Sequence, residues 1–189
     1  MNILTLTYKS THYYLLDCKG GKLMVDCGWP YTFPQFAAEF KRKGVSPQDI
    51  KYVLVTHFHP DHAGLVQEFK NLGAKFILME SQINFTASFA DFFKAKKIPY
   101  TEVTQQNNLV LKFAESRAFL ADIGLSGQIL STPGHSDDSV TLILDEGYVF
   151  TGDLPPEFLL SEEDTLARQS WDRIRQHKVT RIFPAHGSS

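Results

Sequence analysis

Residues 56–64 read THFHPDHAG, and six consecutive positions of that stretch hold His57, His59, Asp61 and His62. The whole 189-residue chain has seven histidines, so three in one turn is a concentration with chemical meaning. Neutral imidazoles and a carboxylate are borderline-to-hard donors, well matched to zinc. At the end of an extended strand His57 and His59, two apart, project to the same side. Pro60 fixes the backbone, ends the strand and leaves Asp61 and His62 in the turn before a helix. Four donors in six residues do not comfortably wrap one tetrahedral ion. Two neighbouring ions take them more easily, His57 with His59 and Asp61 with His62.

The remaining donors are expected at other strand ends. STPGHSDDS (131–139) places His135 after a Pro-Gly turn, and VFTGDLPP (149–156) places Asp153 behind Gly152, which leaves room for close backbone approach. IFPAHGSS (182–189) places His186 after the last strand. Each is a short polar loop on a rigid scaffold, where functional groups usually sit. His12 and His177 fit no such setting and read as surface or structural residues.

The elements that must position these donors follow from periodicity. The first 30 residues alternate apolar and polar side chains as antiparallel strands do, with a hairpin turn at Gly20-Gly21 that sets Cys18 opposite about Leu23. Residues 33–44 form an amphipathic helix ending at Gly44. A buried strand, 51–55, feeds the histidine turn, and a helix at 63–73 and a strand at 74–79 complete a crossover unit. Residues 81–97 read as a helix with Phe85, Phe89, Phe92 and Phe93 at helical spacing. Short strands follow at 117–121, 127–131, 139–144 and 147–151, then a helix near 162–177 and a final strand at 181–187. Sheet, helices, sheet, helices is the order of an α/β fold, a four-layer αββα sandwich, expected as one domain over 1–189.

Composition narrows the class. The chain is 43% apolar and 21% charged with a net charge of −2, which disfavours electrostatic nucleic-acid binding. The basic runs at 40–44 and 93–97 suit solvated helix ends. No apolar run approaches the ~18–20 residues that span a bilayer, and the N-terminus lacks a basic n-region, so neither a membrane segment nor a signal peptide is expected. Cys18 and Cys27 are too far along the hairpin ladder to pair, which suits reduced thiols in the cytoplasm. Oligomeric state is not readable.

The set H-x-H-x-D-H followed by a distant His, Asp and His resembles the metallo-β-lactamase superfamily, and the resemblance runs from MVDCG (24–28) to PAHG (184–187). It implies that His57, His59 and His135 bind a first metal, that Asp61, His62 and His186 bind a second, and that Asp153 bridges them. Asp26 matches a position that supports the metal loop from behind. The implied chemistry is hydrolysis by a metal-bridging hydroxide, with Asp61 orienting it or accepting its proton. His59, where flavodiiron relatives carry a glutamate, favours zinc over a redox di-iron centre, while glyoxalase-like members also take iron or manganese. The chain resembles a minimal, glyoxalase II-like member: the glutathione-binding C-terminal domain is missing, Asp153 stands where the commonest zinc β-lactamases have a cysteine, and Phe158 stands where lactonases have a tyrosine. The substrate is expected to be a small ester, thioester, lactone or amide, with a phosphodiester as the alternative.

Two side-chain groups complete the expectations. Phe85, Phe89 and Phe92 either pack on the core or line an apolar acyl pocket, with Trp29 and Tyr31 on the opposite wall. In SDDS (136–139), Asp137 or Asp138 serves as a cap or hydrogen-bonds ligand rings.

Overall fold

A computed structural model describes residues 2–187. The alternating N-terminal segment forms the meander β1 (Ile3–Tyr8), β2 (Thr11–Cys18) and β3 (Gly21–Val25). Strands β4 (Ile50–Leu54), β5 (Lys75–Met79) and β6 (Asn108–Leu111) add in parallel, giving one sheet in the order β1-β2-β3-β4-β5-β6. The second sheet takes β7 (Gly127–Ser131), β8 (Val140–Leu144), β9 (Tyr148–Gly152) and β10 (Arg181–Pro184) in the order β10-β9-β8-β7, with β10 parallel to β9.

Three apolar interfaces separate four layers. Helices α1 (Phe33–Arg42), α3 (Val66–Asn71) and α4 (Phe85–Lys96) press Phe36, Phe40, Phe69, Phe89 and Phe93 onto Leu15, Met24, Val53 and Phe76 of the first sheet. On that sheet's other face Leu16, Val25, Leu54 and Ile77 meet Ile129, Leu142, Leu144, Phe150 and Phe183 of the second sheet. The second sheet's outer face carries Ile143 and Val149 beneath Ala167, Trp171 and Ile174 of α6 (Thr165–Arg175). This is the expected αββα sandwich. Strand β2 is buried on both faces, which is why its run Tyr13–Leu16 is apolar without a break.

Several local expectations change. The segment 117–121 is not a strand but part of helix α5 (Phe113–Asp122). Ala, Glu, Arg and Leu dominate it, all strong helix formers without β-branching. Its buried Ser116 and Leu120 stand one turn apart, and it closes one side of the space between the sheets. The helix expected over 63–73 is two pieces, α2 (Pro60–Ala63) and α3. Between them Gly64 packs so tightly on the preceding loop that a Cβ there would lie 2.4 Å from Pro30. In the first hairpins Cys18 pairs with Gly21 and Leu16 with Leu23, so the turn is Lys19-Gly20 rather than Gly20-Gly21. Both thiols are free, as expected. No helix among the described residues is long and apolar enough to cross a membrane.

Candidate metal centre

Strands β4, β9 and β10 and the β7–β8 turn all release their chain at one edge of the sandwich. The crossing is tied by backbone bonds: Val140 N–H donates to the Thr56 carbonyl at 2.8 Å, and Ala185 N–H to the Gly152 carbonyl at 2.9 Å. Gly152 has φ +57°, and a Cβ there would lie 2.4 Å from Thr56 Oγ1. Asp153 can therefore reach the histidine turn only behind a glycine.

All seven expected donors meet at that edge. His57, His59, His135 and Asp153 form one group and Asp61, His62 and His186 another, each with its donor atoms within 4.8 Å of one another. Asp153 stands between them. Its Oδ2 lies 3.3 Å from His62 Nε2, 3.6 Å from His135 Nε2 and 3.9 Å from His57 Nε2, while its Oδ1 lies 3.4 Å from His186 Nε2. Asp61 Oδ2 is 3.1 Å from His186 Nε2 and 3.5 Å from His62 Nε2. His59 presents Nδ1, 3.0 Å from His135 Nε2.

Buried polar atoms normally have hydrogen-bond partners. Here His57 Nε2, His62 Nε2 and Asp153 Oδ1 are buried with none, and all three belong to the cluster. Converging, unpartnered lone pairs of nitrogen and oxygen are what a divalent cation completes, so the donor set fits metal ions.

The network behind the donors fixes which ring nitrogens face inward. Asp26, at the end of β3, accepts the Thr56 N–H at 2.7 Å, the Thr56 hydroxyl at 2.9 Å and the His62 Nδ1–H at 2.9 Å. The Thr56 hydroxyl spends its proton on Asp26 and so accepts from His57 Nδ1–H at 3.1 Å. The Ser10 carbonyl can only accept, so His186 donates to it through Nδ1–H at 2.9 Å. In all three rings Nε2 is left pointing toward the cluster. Asp26 thus hydrogen-bonds directly behind His62 and, through Thr56, behind His57.

Charge follows the same geometry. Burial drives His57 well below the ordinary histidine range, and neighbouring imidazoles push it further down, so it stays neutral. Burial also disfavours the charged form of His62, but Asp26, Asp153 and Asp61 surround it and hold it well above that range. Burial acts to raise Asp61 and Asp153. Hydrogen bonding and attraction from His62 outweigh it and leave both carboxyls below the usual range.

Other expectations divide. Asp138 accepts the Phe58 N–H at 2.7 Å and the Ser136 hydroxyl at 2.7 Å; it holds the backbone between two donors rather than a ligand ring. A pocket of about 210 Å³ beside His59 is lined by Phe58, Pro60, Phe85, Ser88, Phe89 and Phe92. Phe89 is its buried floor, 4% exposed, and Phe92 its rim, 43% exposed. Trp29 and Tyr31 do not line it: Tyr31 is 60% exposed, and the Trp29 ring lies under Lys9, whose Nζ is 5.4 Å from its centroid. A larger apolar cavity, about 630 Å³ between Leu154, Phe158, Trp171 and Ile182, borders none of the seven donors. His12 and His177 stay outside the cluster, hydrogen-bonded to Gly187 and Gln128.

Sequence reading missed Thr11, whose hydroxyl donates to Asp61 Oδ2 at 2.9 Å, and Thr56. Only the adjacency of Thr56 to His57 gave a signal; Thr11 gave none.

Comparison with known proteins places the chain by sequence and fold. The chain is 28% identical over 195 residues to a beta-lactamase-like protein 2 homolog of Drosophila melanogaster, covering 99% of this chain and 62% of that one. It is 25% identical over 155 residues to an N-acyl homoserine lactonase of Bacillus cereus, covering 70% and 57%. The chain spans about three-fifths of the length of these curated relatives. Among solved structures, a metallo-beta-lactamase family protein of Thermus thermophilus superposes with a TM-score of 0.72 at 24% identity, covering 99% of this chain and 73% of that one. TTHA1623 in a di-iron-bound form superposes with a TM-score of 0.70 at 24% identity, covering 100% and 93%. The family model of the metallo-beta-lactamase superfamily matches residues 6–186, a span that holds all seven donors, and the chain belongs to that superfamily.

Proposed function

We propose that this chain is a dinuclear zinc hydrolase, glyoxalase II-like, acting on a small ester, thioester, lactone or amide. The observation that carries the reading is the convergence of unpartnered Nε2 and carboxylate atoms in two donor groups that share Asp153. His57, His59 and His135 would hold one ion and Asp61, His62 and His186 the other, with Asp153 between them. Bound ions supply a water of lowered pKa and a Lewis acid for the substrate oxygen.

The chain's own groups do the rest. Asp61, kept ionised beside His62 and Thr11, orients the attacking water and takes its proton. The pocket beside His59 receives an apolar acyl arm and excludes water from that side. No cysteine is placed to act as nucleophile, since Cys27 is fully buried behind the turn, its thiol donating to the His62 carbonyl. Five imidazoles with two carboxylates and no thiolate support zinc, and the di-iron relative makes iron the metal to test against it. The net charge of −2 supports a small-molecule substrate over nucleic acid. The free thiols support a reducing compartment, and the shared cores support one domain.

The test is metal analysis of the purified protein followed by a panel of thioesters, lactones, β-lactams and phosphodiesters, with Asp61→Ala as control. Two zinc ions per chain and Asp61-dependent ester or lactone turnover are expected. Fewer than about two ions, or turnover confined to phosphodiesters, overturns the reading.

A further inference from the structure

The two donor groups are braced by different parts of the chain. Behind the first group stand neighbours on the same turn and the loop facing it: Thr56 behind His57, and Asp138 under the backbone at Phe58. In the second group His62 is held by Asp26, which also stands behind Thr56, whereas Asp61 and His186 are braced from the tip of the β1–β2 hairpin, about 50 residues before Asp61 and about 175 before His186 in sequence. There Thr11 donates its hydroxyl to Asp61 Oδ2 at 2.9 Å, and the Ser10 carbonyl takes the His186 Nδ1–H at 2.9 Å. The backbone adds an antiparallel bridge between Thr11 and His186 and a bond from His12 N–H to the Ala185 carbonyl at 2.7 Å. His12 closes the arrangement through Nε2, 2.8 Å from the Gly187 carbonyl. The tip is a two-residue turn, Lys9-Ser10, with Lys9 at φ +54°. Thr11 is 1% exposed, so its hydroxyl has no water to turn to.

We propose that this hairpin tip is a clamp for the second ion alone, with Thr11 as its positioning residue. The clamp rests on the dinuclear reading above. Thr11 fixes the Asp61 carboxylate in rotation, and Ser10 fixes the tautomer and plane of His186, so two of the three second-group donors are preset before metal arrives. Neither contact touches His57, His59 or His135. Loading of the second site is thereby governed by an element that carries no ligand of its own.

The experiment strips the protein with a chelator and titrates it with zinc in competition with a chromophoric chelator, then repeats the titration with cobalt(II) to read coordination by absorption. Thr11→Val keeps the shape and removes the hydroxyl. Loss of an outer hydrogen bond to a ligand typically costs 10–100-fold in metal affinity, so the variant is expected to bind one ion as the wild type does and the second about 10–100-fold more weakly. Thr11→Ser restores both. Two ions at wild-type affinity in Thr11→Val overturn the clamp and leave the dinuclear reading standing. Equal weakening of both ions also overturns it, because Thr11 would then act through the fold. A wild-type protein that binds fewer than two ions overturns the dinuclear reading and the clamp with it.

Discussion

Asp26→Asn tests the inner support of the site with little other disturbance. Asp26 sits at φ +59°, a region that Asn and Asp tolerate best among residues with a side chain, so the exchange keeps backbone and volume. It replaces one acceptor oxygen by an NH2 group. The amide oxygen can keep the Thr56 N–H, but the NH2 then faces the Thr56 hydroxyl and the His62 Nδ1–H, which both met Oδ2 at 2.9 Å. A hydrogen bond to a charged group contributes about 1.5–3 kcal/mol, and a buried donor left unpaired costs about 1–3 kcal/mol. The two overlap, so the metal-free variant is expected to lose about 2–4 kcal/mol. At ~2–4 °C per kcal/mol for a chain of this size, Tm falls by roughly 4–16 °C. The imidazole can relieve the clash by giving up its Nδ1 proton, which leaves a proton fixed on Nε2 where a metal would have to displace it. Because Asp26 also holds Thr56 behind His57, both ions should weaken, by about 10–100-fold. Thermal denaturation of chelator-treated protein and metal content after dialysis provide the assay. A variant with unchanged Tm and a full metal complement would refute the argument that Asp26 sets the ring orientations.

Phe92→Ala should reduce kcat/KM for long-chain acyl substrates while leaving short-chain turnover and Tm nearly unchanged; Phe89→Ala should cost about 3–5 kcal/mol, since it empties a buried floor. A flat chain-length profile in both variants would remove the acyl pocket from the account. Glu68 on α3 has a buried Oε2 without a partner, and burial raises its pKa. A raised carboxyl binds its proton more tightly in the folded state, so its cost appears as pH rises through the unfolded value of about 4.3 and is complete above the folded one. Glu68→Gln is therefore expected to raise Tm at pH 7 and to match the wild type below about pH 4; equal Tm at pH 7 would contradict this. Removing the metals should lower Tm and expose amides of 132–139 to exchange before those of β2, β4 and the 184–187 segment held by the hairpin tip, and uniform exchange would argue against a metal tie at that edge.

The donors were legible because each obeys a local rule. His57 and His59 alternate on an extended segment, Pro60 ends it, and His135, Asp153 and His186 each follow a strand by one to four residues. The cores were legible from β2 and β8, whose largely apolar runs Tyr13–Leu16 and Val140–Leu144 admit no solvent face. What stayed hidden depends on distant chain. Thr11 is one of many threonines, and only the folded hairpin brings it to Asp61. The segment RAFLA at 117–121 is too short and too evenly apolar to reveal a period, and its helical state is decided by packing at the seam of the sheets. Strand β6, Asn108–Leu111, is a four-residue edge strand recruited by β5. Trp29 follows Asp26 in sequence, yet the positive φ of Asp26 and the turn at Gly28 carry it to Lys9 instead of the Phe92 pocket.

Each donor group draws on both sheets, and that division links metal binding to the fold. His57 and His59 leave the first sheet through β4, whereas His135 and Asp153 come from the second. Asp61 and His62 belong to α2, behind β4, whereas His186 follows β10. An ion in either group would therefore bond across the seam, and its binding free energy would add to the cohesion of the two layers, about 2.7 kcal/mol at a hundredfold excess over Kd. The seam does not depend on metal alone, because the apolar contact of Leu54 and Ile77 with Leu142 and Phe150 remains, together with the Val140–Thr56 backbone bond. Metal-free protein accordingly keeps its sandwich and loosens at the loops that carry donors. The hairpin tip is the exception among these loops: it belongs to the first sheet, holds His186 of the second through backbone bonds, and stays closed without an ion. The second half-site is thus tied across the two sheets by backbone, whereas in the first His59 Nδ1 and His135 Nε2 meet at 3.0 Å through side chains alone.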